Sequence, residues 1–424
     1  MPVADLARAS GVRRWHLAVC AVFAVSGMGV STWLSRIPDV RSDLHLSIFA
    51  MGLLSLGLSI GSVTGFTVAG RVAGRTAPRT AMFAALSTAA GGSAVSALGV
   101  GTGSQPAVAV GLAVLGFGAG VCNVAMNVDA VAIERARARP VLPWFHAMFS
   151  IGGVIGAGLG AAAAAAHVPV PAHLLAEGIL SVAVAAWAVR GVPESGSPLR
   201  AHADVAPVLS GGAKTTAARS AWRDRRTILI GVLVLGMSFA NGAANDWIAL
   251  AMVSGHHATT TLAAVTFWVF VMATTTTRLA GTAVIARWGR VRVLRFTAML
   301  AAVGIALFIC APSPGLAVAG AVLWGLGSAL GFPIGMSAAG DDARTAARNI
   351  GVVATIGYAA SLAGPPLLGL TGDRLGLLPA LVVPLVFVVA AAGIAGVVRP
   401  LAPALRRSEP AGDRLADDQA TASS

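Results

Sequence analysis

The chain alternates between long apolar runs and short polar breaks. Twelve runs stand out, near 15–35, 46–70, 80–101, 106–133, 141–165, 171–190, 227–252, 259–286, 292–311, 315–338, 350–371 and 377–398. Each is close to or above the ~20 residues that a helix rising 1.5 Å per residue needs to cross the hydrocarbon of a bilayer. The ~10-residue alternation of membrane strands is absent from the pattern. It therefore predicts an all-α membrane protein with twelve transmembrane helices. The longest polar break, 191–226, carries Pro193, Pro198 and Pro207 and divides the runs evenly. The expected organisation is a six-helix bundle over 1–190, a cytoplasmic basic linker over 191–226, a second six-helix bundle over 227–398, and a disordered cytoplasmic tail over 399–424.

The two bundles are expected to be pseudo-symmetric. The fourth and fifth runs read G-F-G-A-G-V-C-N-V-A-M-N-V-D from Gly116, an arginine-rich turn, then V-L-P-W-F-H-A-M-F-S-I-G-G-V-I-G-A-G-L-G from Val141. A fainter copy follows in the second half, with V-L-W-G-L-G-S-A-L-G from Val322, D-D-A-R-T-A-A-R from Asp341 and A-S-L-A-G-P-P-L-L-G from Ala360. The first run ends in S-T-W-L-S before Pro38 and the seventh in A-N-D-W, so Trp247 superposes on Trp33. Both indoles are expected at the outer interface and are candidate contacts to a solute. Glycines four apart, Gly57, Gly61 and Gly65 or Gly152, Gly156 and Gly160, let neighbouring helices approach closely.

Composition sharpens this picture. The 424 residues are 56% hydrophobic and only 11% charged, and the mean hydropathy is +0.79. A soluble domain carries about a quarter charged residues. The net charge of +13 would fit nucleic acid, yet the basic residues sit in alternate loops. Of the 30 Lys and Arg, only Arg36, Arg41 and Arg374 fall on the other side, with Arg278 inside a helix. That asymmetry is a topology signal placing both termini in the cytoplasm, and it excludes a nucleic-acid surface. Cys20, Cys122 and Cys310 lie in apolar runs without ligand spacing and read as small core residues.

Two of the basic loops carry a family likeness. After the second run comes G-R-V-A-G-R-T-A-P-R from Gly70, with Arg75 and Arg79, and after the eighth A-R-W-G-R-V-R, with Arg287 and Arg290. These resemble degenerate copies of the cytoplasmic G-x-x-x-D-R-x-G-R motif of the major facilitator superfamily, whose fold the whole chain is similar to. More narrowly, S-R-I-P-D-V-R from Ser35, N-V-A-M-N-V-D from Asn123, V-L-P-x-x-H from Val141, A-N-D-W from Ala244 and G-F-P-I from Gly331 resemble the MosC/YbjJ-like subgroup, itself similar to fucose-permease-type symporters. The resemblance implies alternating access of two bundles around a central cavity. Three departures are visible: Gly74 and Ala286 stand where the loop motif has its aspartate, Asn123 and Asn127 take the acid-and-asparagine spacing of helix 4, and S-T-W-L-S in helix 1 has no acid.

The candidate chemistry lies in the polar residues inside apolar runs, which are expensive and so usually functional. Asn123 and Asn127 share one helical face, as do Asn241 and Asn245. Their amides offer both donors and acceptors. They are candidate contacts to a neutral polyhydroxylated solute, or else packing bonds between helices. Asp129 is a candidate titrating group or the partner of a loop arginine. Asp246, beside Trp247, is a candidate coupling or gating acid, or the partner of Arg36 across the bundles. His146 falls, by the resemblance, where related proteins carry a polar cavity residue, and Tyr358 is a further candidate for the cavity. Arg278 is expected to snorkel or to pair with Asp341 or Asp342, and with Arg36 it is a further candidate for coupling or gating.

No P-loop, metal cluster, nucleophile elbow or dinucleotide fingerprint occurs in a suitable context, so no enzyme activity and no cofactor or metal is expected. The expected function is secondary active transport of a small organic solute, sugar-like or polyol-like because the inferred cavity is rich in amides and poor in fixed charge. An exporter of amphipathic compounds and a non-transporting sensor or scaffold are the alternatives. The expected partners are the solute, protons and the lipid bilayer, with the chain acting as a monomer in the inner membrane of a bacterium.

Overall fold

In the computed structural model residues 3–73, 76–137, 141–192, 222–342 and 345–400 are described. The expected linker and tail fall largely outside these ranges. Twelve helical stretches among the described residues are long and apolar enough to cross a membrane, as the run pattern predicts. In chain order the helices are α1 (Val3–Ser35), α2 (Ile37–Asp43), α3 (Ile48–Ala73), α4 (Pro78–Gly101), α5 (Gln105–Arg137), α6 (Leu142–Ala165) and α7 (Val170–Ala188). The second half continues with α8 (Arg225–His256), α9 (Thr260–Trp288), α10 (Arg290–Cys310), α11 (Pro314–Ser328), α12 (Gly331–Ala339), α13 (Ala346–Leu375), α14 (Leu377–Ala380) and α15 (Val382–Ile394). In the first half α1 packs on α6 and α7, while α5 packs on α3 and α4. In the second, α8 packs on α13 and α15 and α10 on α11. The halves meet mainly where α6 faces α9 and α3 faces α13.

Lipid tails are as apolar as leucine, so burying side chains from lipid does little and helices associate by close packing. The glycine spacing supplies it. A methyl group placed on Gly152 or Gly156 would strike the Ala24 and Met28 carbonyls of α1. The α3–α5 seam works in both directions: Gly61 and Gly65 face Ala113 and Phe117, and Gly116 and Gly120 face Leu58 and Ser62. Cys122 is buried, but Cys310 is exposed at the end of α10. Its reading as a core residue is corrected.

Prolines mark two spans, one broken and one continuous. The tenth breaks between α11 and α12 at Ala329 and Leu330, just ahead of Pro333, whose ring cannot donate the helical hydrogen bond. Helix α13 continues through Pro365 and Pro366, which leaves carbonyls one turn earlier without helical donors.

On the face that carries the termini, the second half is stapled by one carboxylate. Asp341, between α12 and α13, accepts from Arg226 at 2.8 Å and from Arg290 through both of its oxygens. Arg226 also donates to the Arg399 carbonyl at 3.0 Å, so the start of α8 is tied to the end of the chain's last span. Asp224 caps α8, accepting from the Thr227 amide at 3.0 Å. This staple gives the arginine of the degenerate loop motif, Arg290, an acid partner that the motif itself lacks at Ala286. Desolvation alone would raise the Asp341 carboxyl, but hydrogen bonds and charge from Arg290 and Arg226 outweigh it and hold the group below its ordinary value. With the folded value depressed, the staple's stabilisation is complete at neutral pH and is lost as pH falls through the acid range below about 4. Asp341→Asn should therefore lower the melting temperature at pH 7, by an amount corresponding to about 1–2 kcal/mol. Melting curves of variant and parent should converge below about pH 4; a gap that persists there would separate the effect from ionisation.

Candidate functional site

A cavity of about 300 Å³ lies between the halves. The first half lines it with small residues, Gly27 and Ser31 of α1, Ser59 of α3, and Ser150 and Gly153 of α6, and with apolar side chains such as Leu34 and Phe149. The second half supplies Asn241, Asn245 and Asp246 of α8, Thr274, Thr275 and Arg278 of α9, and Ser361 of α13. At the register that superposes Trp247 on Trp33, the α8 trio falls on Gly27, Ser31 and Thr32. The strong polar groups thus stand on one wall, and serines among glycine and apolar side chains on the other.

Local bonding fixes that wall. Asn245 Nδ2 donates to the Asn241 carbonyl at 2.8 Å and to Asn241 Oδ1 at 3.2 Å. Asn241 Nδ2 in turn donates to Ser328 Oγ at 3.1 Å, at the end of α11 where the tenth span breaks. Trp324 Nε1 donates to the Ala240 carbonyl at 3.2 Å, clamping α11 to α8. Asn123 and Asn127 repeat the same intrahelical bond, 2.7 Å to the carbonyl, but neither is among the cavity's lining residues. Nor are His146 and Tyr358. His146 is exposed on α6, edge-on to Phe23 at 5.6 Å between ring centroids. Tyr358 lies between Phe66 of the first half and Phe332 of the second, 6.0 Å from each.

Several expected pairings are replaced. Arg36 does not reach Asp246; it bonds Asp39 at 2.7 Å and the Val168 carbonyl at 2.8 Å, tying the end of α1 to the α6–α7 loop. Asp129 meets no loop arginine. It is buried at 1% exposure and accepts from Trp15 Nε1 at 3.1 Å, its second oxygen making no hydrogen bond. Arg278 pairs with neither Asp341 nor Asp342 but lines the cavity, which is consequently not poor in fixed charge. Trp33 and Trp247, expected at the outer interface, are each 1% exposed, with unbonded indole nitrogens. α8 runs on to His256, nine residues past Trp247, and both indoles lie in one buried core with Ile37 and Val40 of α2. Of the loop-motif residues, Gly70 is in the last turns of α3, Arg79 in the first turn of α4, Arg287 exposed at the end of α9, and Arg75 outside the described residues.

The sequence profile of the Major Facilitator Superfamily matches residues 19–365. The chain belongs to the Major Facilitator Superfamily. It is 30% identical over 357 residues, 84% of its length and 90% of the relative's, to the uncharacterized transporter y4wD of Sinorhizobium fredii. It is 28% identical over 354 residues, 82% and 86% of the two chains, to an uncharacterized MFS-type transporter of Yersinia pestis. Among solved structures, a point mutant of the nucleoside transporter NupG superposes with a TM-score of 0.71 at 14% identity, covering 91% of this chain and 98% of that one. A point mutant of the E. coli fucose:proton symporter FucP gives 0.62 at 15% identity, covering 91% and 98%. At such identity these structures share the fold.

In this superfamily member the side of the cavity away from the termini is shut. Ile48 N donates to Asp373 Oδ1 across the halves at 2.8 Å. A Cβ on Gly52 would stand 2.6 Å from the Pro365 carbonyl and 3.3 Å from the Trp247 ring. Toward the termini, the halves still touch at the Phe66–Tyr358 stack, while His146 and Arg278 are exposed. Residues overlooked in the sequence are Ser31, Thr275 and Ser361 of the lining and Glu177. The last is 7% exposed on α7, accepts from Ser181 Oγ at 2.5 Å, and borders a void of about 20 Å³ inside the first half. One acid in an apolar run was its signal. Gly52→Val should prevent closure of this side. In a background without Cys20, Cys122 and Cys310, the thiol introduced by Ser361→Cys should then react with an impermeant thiol reagent applied opposite the termini; unchanged protection would show that Gly52 is not part of the seal.

Proposed function

We propose that this superfamily member carries a small hydroxylated organic solute across the cytoplasmic membrane of a bacterium by alternating access, both termini being cytoplasmic, and that protonation of Asp246 couples the movement to a proton gradient. One observation carries the reading: Asn241, Asn245 and Asp246 line one membrane-depth cavity from a single helix, and Asp246 has no ion-pair partner among the described residues. An ionisable group at that depth marks a solute or ion path. Amide pairs that retain free acceptors and donors suit hydroxyl groups, which both donate and accept.

Support also comes from neighbours that share the fold, among them a fucose:proton symporter, a D-xylose-proton symporter and a nucleoside transporter. The narrower likeness to the MosC/YbjJ-like subgroup points the same way. The coupling acid stands on the seventh span here, whereas the first span offers Thr32 at the matching register. Neutralising it should separate binding from coupling. In proteoliposomes, Asp246→Asn should retain exchange of labelled solute between the two faces but lose accumulation driven by a pH gradient. Accumulation by the variant that still follows the gradient would move the coupling site elsewhere.

A further inference from the structure

The charge that the proposed function leaves unused is Arg278. A guanidinium does not deprotonate in proteins, so this one remains cationic wherever it sits. It lines the cavity, exposed, and no carboxylate pairs with it among the described residues. Asp246 is too far away to do so. Counting 1.5 Å of rise per residue from the ends of α8 and α9 opposite the termini, the two groups stand roughly 12 Å apart along the helices. Unpaired cations inside a membrane protein are costly and persist where something with the opposite charge arrives. Resting on the reading of this cavity as a transport site, we infer that the solute is a hydroxylated monocarboxylate, a sugar acid of the aldonate or uronate kind, with its carboxylate on Arg278 and its hydroxyls on Asn245 and Asp246.

The geometry selects this class over its neighbours. Arg278 presents two parallel N–H donors that match the two oxygens of a carboxylate. Thr275 is three residues earlier on the same helical face and adds a hydroxyl. A phosphorylated sugar would bring a second negative charge, and no second Lys or Arg is among the lining residues. In an α-amino acid the two charges sit on adjacent carbons and cannot bridge the separation between Arg278 and Asp246. A polyhydroxylated chain with one terminal acid spans more of it and meets the acceptors of α8 on the way.

The test uses the full chain purified in detergent and the probes D-gluconate and D-glucuronate against D-glucose and myo-inositol. The acids should raise the melting temperature of the parent and the neutral pair should not, at equal concentration. Arg278→Gln should weaken half-saturation by the acids about tenfold or more, and Arg278→Lys, which keeps the charge without the fork, should fall between. Each variant's own cooperative melt without ligand shows that it is folded. Protection by the neutral pair alone, an acid response that survives Arg278→Gln, or protection by none of the four overturns the assignment. Counterflow in proteoliposomes separates the two levels: exchange of labelled glucose or inositol that Arg278→Gln leaves intact discards the acid and keeps the transporter, while no exchange of any probe discards both.

Discussion

Hydrocarbon offers no hydrogen bonds, and each polar atom along the twelve spans has to find its partner within the chain or in water admitted between the halves. The first solution is visible wherever a polar side chain folds back on its own helix, as Asn127 and Asn245 do, or crosses to a neighbour's backbone, as Trp324 does to Ala240. Such bonds require the helices to lie close together, and the glycine seams of α1 with α6 and α3 with α5 make that possible. The second solution is confined to the cavity. Asp246 and Arg278 sit there because a charged group left unpaired in the packed seams would have neither partner nor water.

The twelve spans, the two halves and the glycine seams were legible because each is written in local pattern: run length, loop charge, and small residues one turn apart. The α8 trio was legible for the same reason, as polar residues in an apolar run. What pattern could not supply was destination. Arg278 and Asp341 have opposite charge and lie on the same side of the membrane in sequence order, yet Asp341 is taken by Arg226 and Arg290, which begin two helices that converge on it. Arg36 and Asp246 are likewise a plausible couple that the α6–α7 loop pre-empts by offering the Val168 carbonyl.

The tryptophans make the same point about covering. In sequence both sit beside polar residues near the expected run ends, which fits an interfacial belt, but α8 continues to His256 and both indoles join a buried core that includes Ile37 and Val40 of α2. Periodicity over seven residues between Arg36 and Leu44 carries too little signal to announce that contribution. Asn123 and Asn127 have a spacing identical to that of Asn241 and Asn245, on a helix that does not line this cavity. Helical spacing says which residues share a face, and the neighbours decide where that face looks.

The unequal dressing of the two walls has a consequence for the path of the cargo. With amides, acid and guanidinium all on α8 and α9, and serine hydroxyls the only polar side chains opposite, among glycine and apolar side chains, a molecule bound as proposed would belong to the second half and travel with it. On the proposed function, the first half would then serve as a sliding shutter. Departure at either membrane face would need that shutter to clear one mouth, without breaking the grip on which recognition rests until the passage is already open.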